Sequence, residues 1–211
     1  MHKNKAISQQ VIKRLPRYYS HLGYLLELGT PRVSSMELAK QMNLTASQIR
    51  QDLNHFGCFG QQGYGYNVKV LREEIGKILG LDRKYNMIII GAGNLGQALA
   101  NYANFEDMGF VIKAIFDINP DLCGNRVGRC VVSHIDELEN YGEASRVDIA
   151  VLTLKNKNCQ EVANRLVAMG VKAMWNFASF DLQAPRQVIV EDVHLSDSLM
   201  MLSYSLSNNN V

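Results

Sequence analysis

The sequence predicts an α/β protein in two parts: a Rossmann-type parallel sheet preceded by a smaller, mainly helical domain. Three observations carry this. Residues 87–90 are four apolar side chains, three of them β-branched, that break into Gly91-Ala92-Gly93-Asn94-Leu95-Gly96 and then a small-residue stretch, which reads as buried strand, glycine turn and helix. A second apolar run, residues 110–116, follows about one helix later and ends in Asp117, and further apolar runs alternate with helical patterns beyond it. Third, residues 1–80 carry 11 Lys and Arg against 5 Asp and Glu, whereas residues 81–211 carry 11 against 15. A basic front half ahead of an acidic rear half points to a polyanionic partner for the front. The expected division is 1–82, 83–190 and a terminal helix in 191–211.

Two hundred and eleven residues at 47% hydrophobic content are enough for packed cores. There is no signal-peptide pattern and no apolar stretch of membrane-spanning length, so the chain is expected in the cytoplasm, with no membrane partner. The four cysteines, Cys58, Cys123, Cys130 and Cys159, lack metal or redox spacing and are expected as reduced thiols.

In chain order, residues 7–28 predict a helix with Val11, Ile12, Leu15, Tyr19, Leu22, Leu25 and Leu26 inward, Lys13, Arg14 and Arg17 on the polar side, and a kink or restart at Pro16. Ser34 with Glu37, and Thr45 with Gln48, match the capping-box pattern, so two short helices start there with one turn between them. Leu38, Ala39 and Met42 face inward from the first; Ile49, Leu53 and Phe56 do so from the second. This helix-turn-helix layout exposes Ser47, Gln48, Arg50, Gln51, Asn54 and His55, side chains that can donate to base edges and phosphates in a major groove. Aromatics alternating with glycines in residues 56–68 predict two short strands about a tight loop at 60–63, a wing that would present Gln62 and Gly63 to the backbone or minor groove. A helix over 70–81 leads to the boundary at 82–84.

In the glycine turn each glycine has its own task. Gly91 makes the turn, Gly93 lets backbone N–H groups approach a pyrophosphate, and Gly96 allows close helix–strand packing. Asp117, at the tip of the second strand, would accept from the adenosine ribose and repel a 2′-phosphate, so the residues point to NAD(H) rather than NADP(H). Strands are expected near 130–132, 147–154, 171–175 and 188–191, with helices at 134–140 and 159–169. Thr153 and Leu154, and Asn176, Phe177 and Ala178, follow strand C-terminal ends, the edge where open α/β sheets bind ligands. The last helix, over 195–206, is apolar around most of its circumference and is expected in a dimer interface.

Taken together, Lys13-Arg14-Leu15-Pro16-Arg17-Tyr18-Tyr19, Arg50-Gln51-Asp52-Leu53 with Phe56-Gly57, Gly63-Tyr64-Gly65-Tyr66-Asn67-Val68, the glycine turn, Phe116-Asp117, His134-Ile135-Asp136-Glu137-Leu138 and Asn176-Phe177-Ala178 resemble the Rex family of redox-sensing transcriptional repressors. The resemblance implies a homodimer with a winged-helix domain, a Rossmann domain binding NAD(H), and a C-terminal helix swapped between subunits. It also implies binding to inverted-repeat operator DNA that is released when NADH replaces NAD⁺. It adds His134 to the candidate cofactor residues and puts Tyr102 near the nicotinamide loops at Thr153 and Phe177. The chain departs from the family pattern at Ser20, Gln51, Cys58, Gln61, Gln62, Lys155 and His194. Fewer phosphate-facing cations imply weaker, less salt-sensitive DNA binding or an altered operator, and the changes at Ser20 and His194 imply a weakened or differently tuned switch.

Two rivals compete. A dehydrogenase would need a substrate domain and an acid/base group; fewer than a hundred residues follow Asp117, and they complete the sheet and one helix. A CoA- or ADP-binding regulator shares the glycine turn and differs only in its ligand.

Overall fold

The computed structural model describes residues 8–54, 60–61, 64–154 and 158–208. The chain divides into two compact units, Met1–Arg83 and Lys84–Val211.

The first unit opens with α1 (Gln9–Glu27), capped by the Ser8 side chain, which accepts from Val11 N–H. Val11, Leu15, Tyr18, Leu22 and Leu25 are its buried stripe. Tyr18, not Tyr19, is the tyrosine that points fully inward, and Ile12 stays 38% exposed. The expected kink or restart at Pro16 does not occur as a break: the helix runs through it. Pro16 lies on the exposed side, where water can take the Ile12 carbonyl that proline's missing N–H leaves without its usual bond. After β1 (Arg32–Val33), α2 (Ser35–Met42) starts in a complete capping box between Ser34 and Glu37, as expected. It stops at Asn43, which takes the left-handed conformation at φ 55°. α3 (Ala46–Asn54) begins under Thr45, whose Oγ1 accepts from Gln48 N–H; the Gln48 side chain does not complete the box and reaches Asp52 instead.

β2 (Gly60–Gln61) and β3 (Gly65–Asn67) form the expected hairpin, and β1, which the sequence reading lacked, pairs with the other side of β3. Two residues carry too little periodicity to be recognised as a strand. α4 (Val68–Ile78) starts two residues earlier than expected because Asn67 caps it, accepting from Val70 N–H. It packs on α1, and Leu15, Tyr18, Leu22, Leu38, Ile49, Leu53, Leu71 and Ile75 make one core.

The second unit is a seven-stranded sheet. Its strands are β4 (Tyr85–Ile90), β5 (Phe110–Asp117), β6 (Arg126–Val127), β7 (Cys130–His134), β8 (Ile149–Leu152), β9 (Ala173–Asn176) and β10 (Ile189–Asp192), in spatial order β10-β9-β8-β4-β5-β7-β6. All neighbours are parallel except β6 with β7. Strand order reverses at β4, so a crevice opens between the C-terminal ends of β4, β5 and β8. α5 (Asn94–Ala100) and the short α6 (Asn104–Asp107) link β4 to β5. A 3₁₀ turn (Ile135–Glu137) with α7 (Leu138–Ala144), and α8 (Cys159–Ala168), complete the crossovers. Ile88 and Ile90 join one core with Leu138, Leu152 and Leu166; Met87 and Ile89 join another with Ile115 and Val151. β4 is therefore buried on both faces, as its unbroken apolar run requires.

α9 (Leu195–Asn208) buries none of its residues within this single chain: Leu199, Met201, Tyr204 and Leu206 are each at least 65% exposed. Among the described residues no helix is long and apolar enough to cross a membrane.

Candidate nucleotide cleft and DNA-facing helix

Parallel pairing of Ile90 with Phe116 sets Asp117 beside the turn that follows β4. Gly91 N–H donates to the Phe116 carbonyl (2.7 Å) and Ala92 N–H to Asp117 Oδ2 (2.5 Å). Gly91 has φ 106°, and a Cβ there would lie 2.9 Å from Thr153 O and Oγ1. Thr153 braces the turn from β8 by donating its hydroxyl to the Gly91 carbonyl (2.7 Å). A Cβ on Gly96 would run into the Gly91 carbonyl, so this glycine serves packing. Gly93 differs: among the described residues nothing lies within 4 Å of where its Cβ would be, and its φ is negative. Among the described residues, neither packing nor backbone conformation demands glycine at 93, so its small size leaves room in front of the turn for a close-approaching group.

A cleft of about 330 Å³ opens at this point, with Gly91, Gly93, Asp117, Thr153 and Leu154 on its walls. These five are sequence candidates brought together. Ala92, Asn94 and Leu95 belong to the same turn and the start of α5. Asp117 keeps one lone-pair direction on each oxygen after accepting from Ala92 and Asn119, so it can still accept from two ribose hydroxyls.

Other candidates lie elsewhere. Asn176 is fully buried; its Nδ2 donates to the Phe180 carbonyl and Asp192 Oδ1, and its Oδ1 accepts from Ala178 N–H. It ties β9 to β10 and has no side-chain hydrogen left for a ligand. His134 accepts at Nδ1 from Asp136 N–H and approaches the Ile118 carbonyl through Nε2 (3.2 Å), capping the 3₁₀ turn, while its neighbour Ile135 lines the cleft. Tyr102 and Phe177 are the ends of an aromatic row with Phe105 and Trp175, ring centroids 4.6–5.7 Å apart, outside the cleft walls. Ala178 is buried, with its N–H given to Asn176 Oδ1. The sequence reading missed Ile118, Val162 and Arg165 in the cleft; Val162 and Arg165 lie inside a helix with no motif to mark them.

In the first unit α3 exposes Ser47, Arg50, Gln51 and Asn54, and Arg50 Nη1 donates to Ser35 Oγ across the turn (3.1 Å). His55, Gln62 and Gly63 lie outside the described residues. Gln48 is half-buried and turned inward to Asp52. Arg14 also differs from its expected solvated position, because it grips Asp52 through Nε and Nη2. Arg17 remains exposed, with Nη2 donating to the Met42 carbonyl at the end of α2 (2.7 Å). Asp52 is 1% exposed and accepts from Arg14, Tyr18 and Gln48. Burial alone would raise its pKa, but those three donors outweigh it and hold the carboxyl below the usual range. Burial, then the hydrogen bond to Asp52 and the Asp52 charge, pushes the Tyr18 hydroxyl well above its ordinary value. A second residue absent from the sequence candidates is Arg32, which reaches the wing: Nη1 donates to the Tyr64 carbonyl and the guanidinium lies 5.9 Å from the Tyr64 ring centre.

Comparison with known proteins bears on both units. Residues 6–54 match the family described as putative DNA-binding protein N-terminus, and residues 82–180 the family described as CoA binding domain. The redox-sensing transcriptional repressor Rex of Clostridioides difficile is 56% identical over 95% of this chain and 96% of its own length. That of Clostridium novyi is 51% identical over the full length of both. The chain belongs to the Rex family of redox-sensing transcriptional repressors. Rex proteins are transcriptional repressors and not enzymes. A solved Rex-family repressor, RSP, superposes with a TM-score of 0.88 at 51% identity, covering 97% of this chain and 95% of RSP. RSP bound to β-NAD⁺ and operator DNA gives 0.90 at 53% identity, with coverages of 97% and 94%. RSP bound to β-NADH gives 0.88 at 50%.

Proposed function

We propose that this chain represses transcription as a cytoplasmic homodimer that reads the NADH/NAD⁺ ratio, holding an inverted-repeat operator when NAD⁺ is bound and leaving it when NADH takes its place. The observation that carries the nucleotide half is Asp117 at the rim of a cleft beside Gly93, whose open Cβ position, among the described residues, suits a closely approaching ligand. The RSP structures, with β-NAD⁺ and operator DNA in one and β-NADH in another, support the pairing of ligands. The bound nicotinamide supplies its redox state and no chemistry.

In this reading Asp117 accepts from the adenosine ribose, Gly91 and Gly93 admit the pyrophosphate, and Thr153 holds the turn in shape. Tyr102 and Phe177 stand at the nicotinamide end. Arg50, Gln51, Asn54 and Ser47 face base edges and phosphates, with Arg17 beside them; Arg14 and Gln48 serve by fixing α3 through Asp52. α9 is the helix exchanged between subunits, which accounts for an apolar surface with no cover in its own chain. The test is operator binding titrated separately with NADH and NAD⁺. Release by NADH and retention with NAD⁺ is expected; equal response to both would reject the redox reading. The match of residues 82–180 to a CoA binding domain favours one second reading, a CoA-responsive regulator. Displacement of bound NADH by CoA or ADP would distinguish it.

A further inference from the structure

We propose that Glu139 is a selectivity residue for the cofactor: by engaging the guanidinium of Arg165, the one arginine among the described residues that lines the cleft, it keeps that group from a 2′-phosphate, so that NAD(H) is accepted and NADP(H) is not. This rests on the reading that the cleft takes the adenosine end of a dinucleotide.

Arg165 projects from α8 into the cleft wall. Its Nε and Nη2 donate to the two carboxylate oxygens of Glu139 on α7 (2.6 and 2.7 Å), and Nη2 also donates to the Ile135 carbonyl (2.9 Å). Ile135 directly follows His134, which pairs with Asp117 across β5 and β7. The carbonyl that receives the guanidinium thus belongs to the residue next to the one paired with Asp117, adjacent strands being about 4.8 Å apart, and Arg165 and Asp117 line the same cleft. An arginine in that neighbourhood is the usual means of accepting a 2′-phosphate, and its planar fork fits phosphate as well as carboxylate. In this chain the Nε–Nη2 edge of that fork is already taken, so a two-point grip through it on a phosphate requires Glu139 to let go. Asp136 and Glu161 face Arg165 as charges without replacing the two-point contact. Glu139 and Arg165 remain 46% and 28% exposed, so the pair can open without stranding a buried charge. Asp117 repels a phosphate directly while Glu139 removes its counter-charge, and the two act in the same sense.

The test uses the full chain, with NADH and NADPH affinities measured by calorimetry for wild type, Glu139→Gln and Glu139→Gln/Arg165→Gln. In Glu139→Gln the affinity for NADPH relative to NADH is expected to rise roughly tenfold, the scale of one hydrogen bond to a charged group, and to shrink in high salt. NADH affinity itself should stay within about twofold. The double variant should lose the gain, because the phosphate contact requires Arg165. Glu139→Ala gives the same readout if the glutamine variant folds poorly. An unchanged NADPH/NADH ratio with NADH binding intact overturns the proposal, as does a gain that survives loss of Arg165. A wild-type chain that binds no NADH would instead overturn the cofactor reading beneath it.

Discussion

Arg14 and Asp52 meet across 38 residues of sequence with both carboxylate oxygens engaged, at 2.6 and 2.8 Å, and so fasten α1, the first helix of the DNA-binding unit, to α3. Asp52→Ala should destabilise this unit by about 3 kcal/mol, the low end for breaking a buried pair, since Arg14 keeps partial access to water. Operator binding should fall with it, as Tyr18, Gln48 and Arg14 lose their common acceptor. Urea unfolding followed by tyrosine fluorescence measures the first effect and operator titration the second.

The same pair sets an acid limit. A carboxyl held below its unfolded value contributes stability that is fully present above the unfolded pKa, about 4, and is lost as pH falls through the folded one. Unfolding of this unit should therefore steepen below about pH 4, and Asp52→Asn should flatten that dependence; parallel curves for the two proteins would exclude it.

Gly93→Ala separates ligand from fold. With open space at its Cβ position and negative φ, the substitution should leave the melting temperature within about 2 °C, while a methyl at the diphosphate approach lowers NADH affinity at least roughly tenfold. Gly91→Ala should lower both, being strained at φ 106° and crowded by Thr153. Retained NADH affinity in Gly93→Ala would remove the ligand explanation for that glycine.

Asp117→Ala should weaken NADH binding by about 1–3 kcal/mol, and calorimetry showing no change would return the acid to a purely local role at the Ala92 amide.

Arg50→Ala should cost roughly 1–3 kcal/mol in operator affinity if Arg50 reads a guanine, with discrimination relaxed at one base pair of each half-site. An equal loss on every sequence with a smaller salt slope assigns it to phosphate; wild-type binding rejects α3 as the reading helix.

Much of this architecture was legible because local signals agreed with the fold. The apolar run of residues 87–90, the glycine spacing and the capping box at Ser34 each act over a few residues, and each appears where expected. What escaped was decided by distant partners. Asp52 sits in a helix between Ile49 and Leu53, and only Arg14 and Tyr18, far away in sequence, make an ionised group tolerable there. Gln48 matched a cap yet turned to that acid. Asn176 lies at a strand end where ligands bind, but Asp192 and Phe180 claim its amide. Arg165 has no neighbouring motif, and its place in the cleft follows from how α8 packs beside β8 rather than from spacing.

The uncovered surface of α9 has a genetic consequence. If each chain completes itself by lending this helix to a second copy, assembly depends on α9 and not on whether α3 can read DNA. A chain with a ruined α3 would still pair with intact chains and leave each pair with a single functional reading head on a two-fold operator. Lesions in α3 should therefore behave as dominant when both versions are expressed together. Loss of α9 should be recessive, because a chain without it never enters the pair.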